Sequence, residues 1–439
     1  MHYDLIIRGG RCVFPWGEAD ADLGVRNGKI VSLSVTAQDE AGRVIDAKGL
    51  HVLPGLIDSH VHLRDPGKPE VETLETGTRA AALGGVATVF DMPNTSPAVT
   101  DRTMLEWKYD HITKTAHVDV GMYVGATREN TPDLAELEQM PGVCAIKVFA
   151  GSSTGNLMIE DDAGIEAVMR SGHRRVCFHS EDEYRLQARK SLFHEGQPYE
   201  THSLWRDVEC AFLGTRRIVS IAHKTNRPAH ILHTSTAEEL EYLADHRDIC
   251  SVEVLVNHLS QIAPDCYEKL GGLAVMNPPL RDRRHYEASW QAVRDGRVDV
   301  VSSDHAPHPL DAKRLPWPKC PSGLTGVQTI VPVMLDHVNA GRLSLSRLVD
   351  LMAAGPARIY GLQTKGRLAV GFDADFTLVD MQAQRTITND WIASPVGWTP
   401  FDGTSVKGWP MATIVRGTVV MENDAVTGSA TGRPAKFAP

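Results

Sequence analysis

The sequence predicts an α/β protein, a (β/α)8 barrel flanked by a small β-sandwich domain built from both termini. Three observations carry this expectation. Eight apolar runs alternate with helix-like segments through the middle of the chain, the pattern of parallel strands joined by crossover helices. Polar residues gather at the C-terminal ends of those runs, where an eight-unit barrel keeps its reactive groups. The two ends of the chain share a texture of short strands that the middle lacks.

Residues 1–53 read as the first part of the small β domain. "YDLIIRGGRCVF" leads into "DLGVRNGKIVSL", where Asn27-Gly28 is a two-residue hairpin signal. Residues 54–365 carry the barrel. Its strand candidates are "LPGLIDSHVHL", "GVATVFDMPN", "VDVGMYVGAT", "CAIKVFAGSS", "RVCFHSED", "AHILHTST", "CSVEVLVNHL" and "VDVVSSDHAPH". Segments such as "EVETLETGTRAAALG" and "TAEELEYLADH" supply helices between them. No GxGxxG follows the first of these strands, which argues against an open doubly wound sheet. Residues 366–439 return to strands in "FDADFTLVD" and "MATIVRGTVVMEN". "IVRGTVV" at 414–420 echoes "IIRGGRCV" at 6–13, which predicts neighbouring strands in one sheet.

Composition narrows the function. A chain of 439 residues with 42% hydrophobic content can bury a large core. A net charge of −10 disfavours nucleic acid as a partner, because phosphate recognition needs a basic excess. The seven cysteines are scattered, without a CxxC, as expected in a reducing cytoplasm. "MHYDLIIRGG" lacks the basic and apolar regions of a secretory signal. No apolar run reaches the roughly 18 residues of a membrane span.

The strand ends carry the chemistry. His60 and His62 sit two apart, on one face of a strand. Lys147, His179, His233 and Asp304 fall at or near the ends of later strands, and a barrel brings such ends to one mouth. Imidazole and carboxylate together suit zinc, with manganese, cobalt and iron left open by ligand type. His230 falls on the opposite strand face and reads as structural. Asp161 and Asp162 read as an exposed turn or a helix start. Lys147, inside "AIKVF", is costly to bury as an ammonium. Either it snorkels or is salt-bridged, or it is a neutral amine that has captured carbon dioxide as a carbamate.

"DSHVHLRDPG", "DMPNT", "KVFAGSSTGN", "FHSED", "HILHTST", "MNPPLR" and "SDHAPH", with "GRLAVGFDADFTLVD" near the end, resemble the dihydroorotase branch of the amidohydrolase superfamily over nearly the whole chain. The resemblance implies two zinc ions held by His60, His62, Lys147 (carboxylated, as the bridge), His179, His233 and Asp304. Arg64, two positions past His62 and so on the same strand alternation, could offer bidentate hydrogen bonds to a substrate carboxylate; the resemblance further implies that Asn94 and His308 share this task and that Asn277 contacts the ring amide groups. The implied reaction is reversible cyclisation of N-carbamoyl-L-aspartate to L-dihydroorotate, a step of pyrimidine synthesis. A metal-bridged hydroxide would act as nucleophile and Asp304 as general acid and base. A homodimer is the implied assembly. Allantoinase, and hydantoinase or dihydropyrimidinase, are the neighbouring alternatives. A non-catalytic scaffold is the distant one, disfavoured because all six ligand residues are present. The Pro- and Lys-rich loop 308–326 is long enough to cover the site, with Gly323 offering a backbone contact.

Overall fold

The computed structural model describes residues 2–151 and 157–438, so the Ser152–Asn156 end of "KVFAGSSTGN" lies outside the described residues. Five strands come first: β1 (His2–Phe14), β2 (Gly17–Arg26), β3 (Lys29–Ser32), β4 (Glu40–Asp46) and β5 (His51–Pro54). β2 and β3 turn at Asn27 and Gly28, both at positive φ (51° and 72°), the backbone that a two-residue hairpin requires.

The next eight strands are those expected for the barrel: β6 (Leu56–Val61), β7 (Val86–Asp91), β8 (Asp119–Gly125), β9 (Val143–Phe149), β10 (Val176–His179), β11 (Ala229–Ile231), β12 (Cys250–Leu255) and β13 (Val300–Ser302). They pair in sequential order and in parallel. The ring closes where Val61 bridges His305 in parallel and the His62 N–H donates to the His305 carbonyl at 2.7 Å. Asp58 on β6 adds a stitch by accepting from the Ser303 N–H at 3.1 Å. The strands are buried along their whole length, as expected of strands covered on both faces. Helices start where a short polar side chain takes up free N–H groups. Thr73 caps Leu74–Leu83, Asp207 caps Val208–Thr225 and Thr236 caps Ala237–Ala244. Asp161 caps Asp162–Arg170 by accepting from the Gly164 N–H at 2.9 Å, the helix start its sequence suggested.

Four strands follow the barrel: β14 (Phe376–Thr386), β15 (Ser405–Val415), β16 (Thr418–Glu422) and β17 (Ala425–Val426). They join β1–β5 in one nine-stranded sheet ordered β17-β16-β15-β14-β5-β1-β2-β3, with β4 on β1. The sheet folds over on itself, because the β2–β3 turn lies against the β15–β16 turn. The Ile30 N–H donates to Phe372 at 3.0 Å, and a Cβ on Gly28 would sit 3.1 Å from the Arg416 carbonyl oxygen. Leu5, Leu23, Phe376 and Ile414 share the apolar core so enclosed. The echo between "IIRGGRCV" and "IVRGTVV" does not mark neighbours, for β14 and β5 separate β1 from β15. The same letters do different work. Gly9, at φ 73°, sits in a bulge that lets β1 continue, whereas Arg416 and Gly417, at φ 46° and 75°, make a tight turn.

A buried charge cluster ties the two sheets together. Lys365 Nζ lies 2.7 Å from Asp119, at the start of β8, and also pairs with Asp375 just before β14. Arg416 donates to Asp119 as well. The last described residues leave the outer sheet and run under the barrel, where the Ala435 N–H donates to Val120 at 2.9 Å and the Phe437 ring packs edge-on to Phe90.

Candidate active site

The C-terminal ends of the barrel strands open into a cleft of about 670 Å³. His60, His62, Arg64, Asn94, Lys147, His179, His233, Asn277, Asp304, His308 and Gly323 all line it. The eleven residues singled out in the sequence are thus brought together, though not always by the route expected.

His60 is the last residue but one of β6, and its Nδ1–H donates to the buried Glu253 of β12 at 2.9 Å. His62 lies just past the strand, and its Nδ1–H donates to the Asn94 side-chain oxygen at 2.6 Å. Each imidazole therefore turns a bare Nε2 lone pair inward. These two atoms lie 3.2 and 3.1 Å from one oxygen of Asp304. Three acceptors converge with no proton left to place between them. His233 adds its ring 5.4 Å from that of His60, and its buried Nδ1 has no hydrogen-bond partner among the described residues. Donor atoms of His60, His233 and Asp304 all fall within 4.8 Å of one another. Such a set is repulsive alone and is satisfied by a divalent cation.

His179 ends β10 and donates Nε2–H to Glu181 at 2.8 Å, leaving Nδ1 as its lone pair. Its ring meets that of His233 edge-on at 4.6 Å. Glu181 is held in turn by Arg206, whose Nε lies 3.0 Å away. Lys147 is 1% exposed and has no hydrogen bond or ion pair among the described residues; its Nζ sits 4.5 Å over the Phe149 ring. The salt-bridged reading thus finds no partner among the described residues, and the side chain lines the cleft. Burial pulls its ammonium down to about 8, so neutral amine, the form that reacts with carbon dioxide, is accessible.

Electrostatics follow from burial and neighbours. Desolvation lowers His62 to about 4 and holds His179 and His233 below the usual imidazole range, which keeps them neutral as metal ligands require.

Arg64 reaches the cleft by a turn rather than by strand alternation. Regular strand ends at Val61, and Arg64 takes a left-handed backbone, φ 57°. The Leu63 N–H just before it is pinned to Asp91 at 2.9 Å. The guanidinium rests 3.3 Å from the Pro307 carbonyl and 3.3 Å from His308 Nε2, with no carboxylate partner among the described residues. Asn94 has given its oxygen to His62, which leaves its amide N–H groups for the cleft. Asn277 Oδ1 lies 2.9 Å from His202 Nε2. Gly323 donates its N–H to Val275 at 3.0 Å, so its carbonyl, not its N–H, is the group still on offer. A side chain there would meet Ala306 O at 2.5 Å and the His308 ring at 2.9 Å, at a φ of 142°, which explains the glycine.

Sequence reading passed over Glu253, Glu181 and Arg206. A lone acid inside the apolar run "SVEVLV" is the signal for the first, since a barrel strand offers a carboxylate no solvent. His223, His246 and Asp248 form another three-residue group on the surface. There His223 and His246 hydrogen-bond each other at 3.0 Å, unlike the unsatisfied set in the cleft.

The amidohydrolase family model matches residues 51–420, spanning the barrel and most of the outer sheet's C-terminal strands. The chain belongs to the amidohydrolase family. Within it, a dihydroorotase from Methanosarcina acetivorans is 35% identical over 438 residues, covering 96% of this chain and 93% of that protein. One from Halobacterium salinarum is 37% identical over 378 residues, 86% of this chain and 87% of that protein. An allantoinase from Deinococcus radiodurans is 34% identical over 449 residues, 99% and 98% of the two chains. Among solved structures, L-hydantoinase (dihydropyrimidinase) from Arthrobacter aurescens superposes with a TM-score of 0.93 at 28% identity, over 99% of this chain and 100% of that one. An amidohydrolase of this kind is a hydrolase of the cyclic-amide type. Among the described residues no helix is long and apolar enough to cross a membrane.

Proposed function

We propose that this amidohydrolase is a dihydroorotase, interconverting N-carbamoyl-L-aspartate and L-dihydroorotate. The observation that carries the reading is the Arg64 guanidinium, placed in the cleft beside His308 without a carboxylate of its own. Dihydroorotate brings a carboxylate; hydantoin, dihydrouracil and allantoin do not. A bidentate guanidinium–carboxylate pair is the interaction such a residue suits. Lys68 and Lys190 also line the cleft without a carboxylate partner among the described residues, so a chain of net charge −10 presents a basic pocket to an anion.

The donor set fits two divalent ions, zinc by ligand type, held by His60, His62, His179, His233, Asp304 and a carboxylated Lys147. When bound, they would polarise the amide carbonyl and make water a nucleophile at neutral pH. The protein's own part is orientation and proton transfer. Glu253, Asn94 and Glu181 fix the imidazole tautomers. Arg64, Asn94 and His308 hold the carboxylate, and Asn277 and the Gly323 carbonyl face the ring amide groups. Asp304, ionised at neutral pH, receives a proton during ring opening and delivers it to the departing ring nitrogen. Cyclisation needs Asp304 protonated at the start. Residues 54–365 would form this catalytic unit, with 1–53 and 366–439 as its β partner, in a cytoplasmic homodimer.

The test is to run both directions across pH. Lower pH should speed formation of dihydroorotate from N-carbamoyl-L-aspartate, and higher pH its hydrolysis. Identical profiles would remove Asp304 from this role. The allantoinase relative supports the rival reading, allantoin hydrolysis by the same metal site, in which Arg64 would serve a neutral substrate.

A further inference from the structure

Lys313 ends a short helix, Leu310–Lys313, a few residues before the segment 318–323 that lines the cleft, and its side chain is fully buried. Nζ donates to the Val275 carbonyl at 2.8 Å and to the Pro321 carbonyl at 2.7 Å. The Trp398 ring stands 5.9 Å away, within range of a cation–π contact. No carboxylate pairs with it among the described residues. A buried ammonium without a counter-anion is a poor way to gain stability, and an apolar side chain would pack there at less cost.

What the lysine joins accounts for it. Val275 stands two residues before Asn277, and Pro321 two before Gly323, so the two carbonyls belong to the two segments that carry these cleft residues. The Val275 carbonyl accepts the Gly323 N–H as well, at 3.0 Å. Trp398, beside Nζ, donates its indole N–H to the His308 carbonyl at 2.8 Å. One ammonium thus sits at the junction of the segments that carry Asn277, His308 and Gly323. Besides the Gly323 N–H, Lys313 Nζ is the donor that ties the Asn277 segment to the Gly323 segment, and it adds the Pro321 carbonyl to that junction.

We propose that Lys313 is a positioning residue: it clasps the Asn277 segment to the Gly323 segment and so sets the affinity for substrate without touching it. The inference rests on the reading of these segments as the substrate-binding surface. Lys313 is not among the residues around the metal-ligand set, so its loss should spare metal binding.

Lys313→Met keeps the length of the side chain and removes its donors. The metal-loaded variant would be compared with wild type by hydrogen exchange over residues 316–326, metal content, and kinetics on L-dihydroorotate. The expected result is unchanged metal content, exchange at 318–324 faster by about tenfold or more, and KM raised about tenfold with kcat within about threefold, as for loss of ground-state binding. Unchanged exchange and KM would overturn the proposal. So would a fall in kcat or metal content at constant KM. If wild type does not turn over dihydroorotate, the substrate reading fails, and the same comparison on whichever cyclic amide it does hydrolyse still decides the clasp. If that variant is not recovered folded, Lys313→Gln, which keeps one donor group, goes through the same measurements. Faster exchange at 318–324 with a raised KM supports the clasp, and wild-type values for both refute it.

Discussion

His62 Nε2 lies 3.1 Å from Asp304 Oδ1, although the two residues are 242 positions apart. Barrel closure between β6 and the end of β13 makes this contact, and the Nδ1 bond of His62 to Asn94 makes it a meeting of two acceptors. The structure holds a repulsive arrangement that pays off only when a cation is present.

Removing the metal should therefore abolish turnover and destabilise the site. Dialysis against a chelator is expected to end activity, with recovery on adding zinc, manganese or cobalt. Asp304→Asn should lower kcat by about 10²–10⁴-fold, the range for loss of a general acid–base group. Stopped assays on the reconstituted variant would check this; a fall under about threefold would contradict the role.

Glu253 holds His60 in place from behind and also accepts the His233 backbone N–H at 3.0 Å. Glu253→Gln keeps the shape but weakens the bond to His60 Nδ1–H. Metal affinity is expected to fall about 10–100-fold, as for other groups that orient a ligating histidine. Competition with a chromogenic chelator measures it, independently of catalysis.

Arg64→Met should reduce kcat/KM for dihydroorotate by about 10–150-fold, matching about 1.5–3 kcal/mol for hydrogen bonds to a charged group. Any slow hydrolysis of neutral dihydrouracil should be nearly unchanged. Equal losses on both substrates would mean that Arg64 shapes the cleft rather than binding the carboxylate.

Stability should fall in mild acid. Burial pushes His202 down to about 3 and His285 and His337 to about 4, from an ordinary 6.5. The unfolded chain takes up these protons below pH 6.5, and the folded chain only near pH 3–4. Their contribution is thus fully present above pH 6.5 and is lost as pH falls toward 4. His337 is remote from the cleft, hydrogen-bonded to Ser260 at 2.9 Å and packed edge-on to Trp290. Thermal melts of His337→Gln should show a shallower loss of Tm between pH 7 and pH 5 than wild type. Parallel curves would contradict this.

The barrel was legible because its strands are covered on both faces and read as unbroken apolar runs, each ending at a polar residue. The proposed ligand residues were legible for the same reason, since histidines and a lysine at such ends have no solvent to explain them. Glu253 and Glu181 were harder to see, because their meaning lies in partners on other strands or on the far side of a histidine ring. Arg64 was found, but through an alternation that stops at Val61; only its left-handed backbone shows how it arrives. The echo of "IIRGG" and "IVRG" misled because the placement of glycine decides between a bulge and a turn, and sequence similarity does not report strand order. Lys313 was read as part of a basic loop, when its charge is spent inside.

The central claim is that the cleft selects a cyclic amide bearing a carboxylate. The most direct measurement is turnover by the purified, metal-loaded protein of L-dihydroorotate, hydantoin, dihydrouracil and allantoin in parallel. Hydrolysis of dihydroorotate with a kcat/KM at least about a hundredfold above the other three is the expected result, consistent with the loss of a paired charge in each neutral competitor. Faster turnover of allantoin or hydantoin would leave the metal site standing and contradict the assignment of its substrate.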